Sequence, residues 1–268
     1  MSIIGRVDSL WRYPVKSMRG EELDAAFMGF SGVYGDRLFA FTSTASPKGF
    51  PYLTAREQGE MLRYRPRFRY PDKAAQPLNL VEAEKMGPGL TPLYADQADL
   101  MVDVETPLGE VLPIDDPALM RMLGEGVGDK HDLRLARSDR AMTDCRPVSL
   151  FSVQTALQLG EELGTAVDPR RFRANVYLDL TSAGGFGEDA LVGRSLRIGS
   201  KGVISVLERD PRCKMITLDP DTGESKPEFL RQVAQVHKGM AGVYGAVLVE
   251  GTLRKGLRLK TAVKMEMA

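Results

Sequence analysis

Cysteine and histidine are scarce in this chain: 268 residues carry two of each. Two cysteines are too few for the bridged framework of a secreted scaffold, so a reduced, cytoplasmic setting is expected. No CxxC occurs, and His131 and His237 lie far apart without ligand spacing, which argues against structural zinc. Both histidines read as surface or packing residues. Long apolar runs are missing too. No stretch of about 18 apolar residues appears, so no membrane span is expected. Arg6 and Asp8 interrupt the start, MSIIGRVDSLW, too early for a secretory signal. Neither charge is in excess, since Lys+Arg and Asp+Glu each number 36. That balance argues against nucleic-acid binding, yet it leaves room for a small basic pocket around one anionic ligand. Also absent are a GxGxxG turn after a strand, a GxxxxGK(S/T) loop and a GxSxG elbow.

What is present reads as mainly β with a few helices, an α+β chain. RVDSLWRYPV alternates Val7, Ser9, Trp11 and Tyr13 against Arg6, Asp8 and Arg12, the pattern of a half-buried strand that Pro14 ends. DRLFAFTST is a second β-rich run, and LMVDVETPLGEVLPI reads as a hairpin turning through Pro107–Gly109. FRANVYLDL, SLRIGSKGVISVLER and AVLVEGTLRKGLRLK are further β runs joined by glycine turns. Residues 71–95, rich in Pro, Gly and Ala, read as loop. Three helices are signalled by their ends. DDPALMRMLG has an Asp cap, Pro117 in its first turn and Gly124 as a stop. SVQTALQLGEELG runs from Ser152 to Gly164 with Val153, Ala156, Leu157 and Gly160 at helical spacing, and SKPEFLRQVAQV buries Phe229, Leu230 and Val233. The expected architecture is a barrel or pair of barrels carrying a few helices, divided as 1–120 and 121–268.

The most unusual stretch is RDPRCKMITLDPDTGE, residues 209–224, which sets Cys213 between Arg212 and Lys214 ahead of an acidic turn. Flanking cations favour a thiolate, which serves as a nucleophile or as a soft-metal ligand. A small apolar residue closing the strand GVISVLE, with solvated charges on either side, is the competing reading.

The fuller phrase PRCKMITLDPDTGE resembles the cysteine segment of the MOSC domain. RYPVKSMRGEELD, GVYGDRLFAFT with the later LTAR, and RRFRANVYLD agree with it in order. The first two resemble the β-barrel domain that precedes MOSC in the amidoxime-reducing proteins and their bacterial relatives. The resemblance covers nearly the whole chain and implies a MOSC-type barrel packed with an N-terminal barrel-like domain. It also implies a molybdenum–molybdopterin cofactor with Cys213 as the metal ligand and Arg212 and Lys214 supporting the thiolate. Lys16 and Ser17 of the YPVKS turn, Arg37 of GDR, Arg56 of LTAR, and Arg173 and Asn175 of FRxN would contact the cofactor. Arginine suits a phosphate by its planar fork and lysine by its point charge. In TDCRPVSLFS, Asp144 and Cys145 would line the cofactor, with Asp144 also a candidate for proton traffic and Cys145 a second thiol or a small filler. The chain departs from the family at Ala174, at Ala190–Leu191 and in HKGMAGVYGAVLV, departures that bear on substrate choice.

The implied activity is reduction of N-hydroxylated substrates such as amidoximes, hydroxylamines and N-hydroxy bases. Because no flavin, haem or iron–sulfur motif is present, electrons would come from a separate ferredoxin, flavoprotein reductase or cytochrome-type partner. A monomer is expected. The alternative is a non-catalytic carrier that holds the cofactor, or a persulfide, on Cys213.

Overall fold

Alternating apolar residues in seven strands close a barrel. In the computed structural model, which describes residues 2–85, 93–128, 132–181 and 183–261, the ring runs Ile3–Arg12, Val176–Leu180, Val148–Ser152, Met240–Val249, Gly202–Pro211, Ser195–Ile198 and Arg258–Thr261, and returns to Ile3–Arg12. Leu150, Val176, Leu178, Leu196, Ile204, Val206 and Val243 fill its interior. Each is one phase of a period-two strand. The opposite phase of two strands is buried as well. Phe151 and Tyr177 pack outward beneath the helices Val153–Leu163 and Glu228–Val236. Burial on both faces explains why VSLFS and VYLDL read as nearly continuous apolar runs.

The first strand departs from simple alternation. Val7 pairs with Leu178 and Ser9 with Tyr177, so Asp8 is an extra, bulged residue. A one-residue slip reverses every side chain beyond it. Leu10 and Arg12 therefore turn inward, and Ser9 and Trp11 are only half-buried, contrary to the expected face. The strand stops at Arg12 before Pro14, and Val15 then makes a single bridge to Phe39.

Outside the ring, Phe39–Ser43 pairs with Leu133–Arg137, and Arg65–Phe68, Val102–Glu105 and Val111–Pro113 form a meander whose last turn is the expected hairpin. Phe39, Phe41, Leu53, Met61, Leu100 and Leu119 form a second core, to which Leu218 is contributed from far along the chain. Hydrogen bonding does not divide at residue 120. Ile3–Arg12 lies in the barrel, Ala25–Gly29 pairs with Gly251–Arg254, and Leu133–Arg137 belongs to the other side.

The helix ends follow local chemistry. Asp116 accepts from the Ala118 amide at 2.8 Å and Ser152 from the Thr155 amide at 3.3 Å, while Gly164 closes its helix in the left-handed region at φ 65°. The first helix runs through Glu125, past the expected stop at Gly124. In the second, Leu159 is buried and Leu157 is 65% exposed, which corrects the expected apolar stripe. Segment 71–95 is not loop throughout: Pro71–Ala75 and Leu80–Lys85 are short helices, and 86–92 lies outside the described residues. So does His131. His237 is a packing residue, stacked on Phe186 at 3.7 Å and 2.8 Å from a Glu162 oxygen. Among the described residues, no helix is long and apolar enough to cross a membrane.

Candidate functional site

One rim of the barrel gathers the residues that the sequence scatters. Leu10 stands opposite Val176, Leu150 opposite both Val176 and Val243, and Arg209 opposite Val243. The segments just beyond these positions therefore emerge at the same end of the barrel. They are the turn at 13–18, the approach to Val148, the Arg171–Asn175 loop and the Asp210–Ile216 segment. Between them lies a cleft of about 100 Å³. Lys16, Arg37, Arg56, Arg146, Arg171, Arg173 and Arg212 line it, against Asp144 and Asp210. A chain with no net charge has concentrated its cations here.

The backbone is forced where these cations are placed. Among the described residues five non-glycine residues have positive φ, and three of them, Ser17 at 66°, Arg37 at 46° and Arg173 at 51°, line the cleft. Such conformations cost roughly 1–3 kcal/mol each and persist where the surroundings over-determine them. Cross-chain contacts do so here. The Lys16 amide donates to the Phe39 carbonyl at 2.8 Å, its Nζ donates to the Met142 carbonyl at 2.8 Å, and it pairs with the Asp144 carboxylate. Arg37 pairs with buried Asp36 and donates to the Arg173 carbonyl at 3.3 Å. The guanidinium carbons of Arg37 and Arg173 lie 4.8 and 4.2 Å from the centre of the Tyr13 ring.

Electrostatics follow from this crowding. Burial lowers the Lys16 pKa, and Arg37 and Arg173 add to the effect against the pull of Asp144. Burial likewise brings Arg173 down to about 10, with Arg37 beside it adding. For Asp144 burial works the other way and would raise the carboxyl. Lys16, Arg37 and Arg56 overcome it and hold the group below its ordinary value. Around the cleft, Nε of Arg171 and Nη2 of Arg173 are buried without a hydrogen-bond partner, and Nη2 of Arg212 has only an ion-pair contact with Asp210 at 2.7 Å. A buried unpaired donor costs about 1–3 kcal/mol, and more when charged, so the site is organised for acceptor atoms that the protein does not itself supply.

Cys213 faces this cleft at the start of a short 3₁₀ turn, Lys214–Thr217. The turn is anchored on both sides. Leu218 plugs the second core, Arg171 donates to the Thr217 carbonyl at 3.0 Å and to Asp219 at 2.9 Å, and Arg170 grips Asp221. Asp219 also accepts from the amides of Asp221 and Thr222, closing the DPDTG turn. Its Gly223, at φ 77°, comes so near Gly59 that a Cβ would sit 2.6 Å from the Gly59 carbonyl oxygen. The acidic loop thus holds Cys213 in place and keeps its own carboxylates out of the cleft.

Lys16, Ser17, Arg37, Arg56, Asp144, Arg173, Asn175, Arg212 and Cys213 all line the cleft. Several are engaged otherwise than expected. Asn175 is fully buried, accepting from the Ser149 amide and donating to the Trp11 carbonyl at 3.3 Å each, so both sides of its amide fasten the loop. Arg212 donates to the Ala241 and Phe172 carbonyls at 2.6 and 3.1 Å. Lys214 points away from the cleft and donates to the Arg56 carbonyl at 2.6 Å. Cys145 is the clearest correction. It does not line the cleft but is exposed and directed at Glu208, 3.7 Å away, because neighbouring Asp144 takes the inward position against Lys16. Sequence reasoning passed over Arg171, Tyr13, Asp210 and Tyr244. Arg171 stood beside Arg173 in RRFR and Asp210 in RDPRC, but nothing local distinguishes a buried charge from a solvated one.

The structure is therefore a closed β barrel that carries a cysteine and a cation-rich cleft at one rim. The more particular assignment comes from family comparison: residues 4–107 match the MOSC N-terminal beta barrel domain and residues 137–260 the MOSC domain. This chain is a MOSC-domain protein with the MOSC N-terminal β-barrel domain. It is 34% identical over 140 residues to proteins named molybdenum cofactor sulfurase from Drosophila yakuba and Drosophila melanogaster. That alignment covers 51% of this chain and only 16% of those relatives' length. Among solved structures, it is similar to the YUAD protein of Bacillus subtilis, with a TM-score of 0.47 and 11% identity over 95% of this chain and 93% of that one. It is also similar to YiiM of Geobacillus stearothermophilus, with a TM-score of 0.34 and 16% identity over 49% and 68% of the two chains.

Proposed function

We propose that the rim cleft binds a molybdenum–molybdopterin cofactor, and that the protein uses it to reduce N-hydroxylated compounds with electrons from a separate electron-transfer protein. The observation that carries this reading is the set of buried, unpartnered arginine nitrogens beside a cysteine that opens onto the same cleft. The donor set fits the group. A thiolate at Cys213 is the soft ligand that molybdenum accepts, and the arginines offer forked donors to a phosphate. The MOSC match and the name of the Drosophila relatives support the link to molybdenum cofactor.

Bound there, the cofactor supplies two-electron chemistry at molybdenum. The chain supplies the rest. Arg173, with the free Nε of Arg171, would hold the phosphate, and Lys16, fixed by Asp144 and the Met142 carbonyl, would place a positive charge on the wall formed by the turn at 13–18. Arg212, held by two carbonyls, keeps the backbone beside Cys213 in register. Phe50 and Tyr52 cover the Lys16 ammonium, with ring centres 5.1 and 4.9 Å away, and screen that wall from water. Asn175 and Ser149 set the loop that carries Arg173.

The test is metal analysis of protein made in a host that synthesises the cofactor, followed by conversion of benzamidoxime to benzamidine after chemical reduction. Stoichiometric molybdenum with turnover is expected. Molybdenum without turnover leaves the carrier role, and absence of molybdenum from such protein overturns the cofactor assignment.

A further inference from the structure

Two carboxylates enter the cleft, and their surroundings push them in opposite directions. Asp144 is half exposed and pinned by Lys16. Asp210 is buried, with its side chain 2% exposed, three residues before Cys213 in the strand Gly202–Pro211. Its Oδ2 lies 2.7 Å from Arg212 Nη2, but the two are not aligned as a hydrogen bond: Asp210 Oδ1 and Arg212 Nη2 are both buried without a hydrogen-bond partner. Tyr244 approaches the same carboxyl from the neighbouring strand Met240–Val249. Asp144 and Arg37 face it across the cleft. Gly242, at φ 82°, completes the pocket, because a Cβ there would lie 2.8 Å from Arg212 Nη2 and 2.9 Å from the Leu150 carbonyl oxygen. A carboxyl this deeply buried, with one oxygen free, is poised to hold a proton.

We propose that Asp210, flanked by Arg212 and Tyr244, is the proton-donating acid of the cleft, passing its proton to the oxygen that leaves an N-hydroxylated substrate as water. This rests on the reductase reading above. Overall, the N–O bond breaks, two electrons come from the cofactor and ultimately from the external electron-transfer protein, one proton joins the departing hydroxyl to make water, and a second joins the nitrogen. Asp210 supplies the first of those protons and is reprotonated from solvent through the open side of the cleft. Burial raises the Asp210 carboxyl to about 6, against the opposing influence of Arg212 and Tyr244, whereas Asp144 is held in its charged form. A pair of acids driven apart in this way separates the proton donor from the charge that fixes a neighbour. Asp144 then serves as the anchor for Lys16.

Two measurements test this, one of them without cofactor. Infrared titration of molybdenum-free protein should show a protonated-carboxyl band that disappears near pH 6 and is missing from Asp210→Asn. With cofactor bound, Asp210→Asn should keep its molybdenum content and substrate KM while kcat falls about 100-fold. Wild type should decline in rate as pH rises through about 6, and Asp210→Asn should lack that decline. Tyr244→Phe removes a hydroxyl that favours the charged carboxyl, so that decline should move to higher pH, a shift that a merely structural role would not produce. Wild-type kcat and pH profile in Asp210→Asn, or no titrating band attributable to Asp210, overturns the proposal while the reductase reading stands. Loss of molybdenum from Asp210→Asn in step with activity assigns Asp210 to anchoring Arg212 and overturns it too. Wild type that holds molybdenum and reduces no N-hydroxylated substrate removes the reductase reading, and the donor role falls with it.

Discussion

The barrel interior and the loops at its rim are built by opposite rules. Inside, Leu150, Val176, Leu196, Ile204 and Val243 pack apolar surface on apolar surface, with one strand phase per layer. At the rim, the loops between strands bury Arg171, hold Arg37 and Arg173 in left-handed backbone and leave arginine nitrogens without hydrogen-bond partners. The interior minimises cost locally, whereas the rim accumulates it. The barrel is therefore the support that makes a strained, cationic cleft affordable, and binding of an anionic ligand would recover part of that cost.

The sharpest way to break this contrast is at Cys213. Cys213→Ser should abolish turnover and alter molybdenum coordination while circular dichroism and the melting transition stay near wild type, because the residue serves the rim and not the core. Persistent turnover would remove Cys213 from the chemistry. The reverse pattern is expected inside the barrel. Leu150→Ala should cost about 2–5 kcal/mol in denaturant unfolding, with cofactor content per folded molecule unchanged. A selective loss of cofactor there would show that core and rim are not separable.

A smaller effect is expected on the cationic wall. Lys16→Ala and Arg173→Ala should each lower cofactor occupancy, through an affinity weakened about ten- to a hundred-fold, as for charge-assisted contacts worth about 1.5–3 kcal/mol. The double variant should fall short of their sum, because both residues serve one ligand. Additive effects in equilibrium loading would place the turn at 13–18 outside the ligand's reach. Least affected should be Cys145→Ala, since Cys145 points at Glu208 and away from the cleft. Turnover near wild type is expected, with a stability change within about 0.5 kcal/mol, as for surface substitutions generally. A loss comparable to that of Cys213→Ser would reverse the roles given to the two thiols.

Much of the scaffold was legible before folding. Asp116 and Ser152 cap their helices as their residue types require, and the Pro107–Gly109 turn joins the two strands expected around it. The motifs PVKS, GDR, LTAR, TDCRP, FRAN and PRCK marked nine residues that do line one cleft. These signals work because caps, turns and strand alternation are settled within a few residues of chain. The failures share a different cause. The Asp8 bulge reversed the inward face of the first strand, Lys214 and Cys145 turned outward, and Asp210 became buried. None of these depends on neighbouring residues alone.

By itself, the sequence determined that the chain is a β-dominated barrel protein, which residues carry cations and thiols, and where the helices capped by Asp116 and Ser152 begin. Only the tertiary structure decided which of those charges are buried and which face one another. Burial and facing depend on barrel closure, which brings positions 16, 37, 144, 173 and 213 to one rim and shuts water away from some charges and not from others. A carboxyl in RDPRC and a carboxyl in TDCRP look alike along the chain. They differ because one is enclosed between Arg212 and Tyr244, and the other stands half in solvent against Lys16.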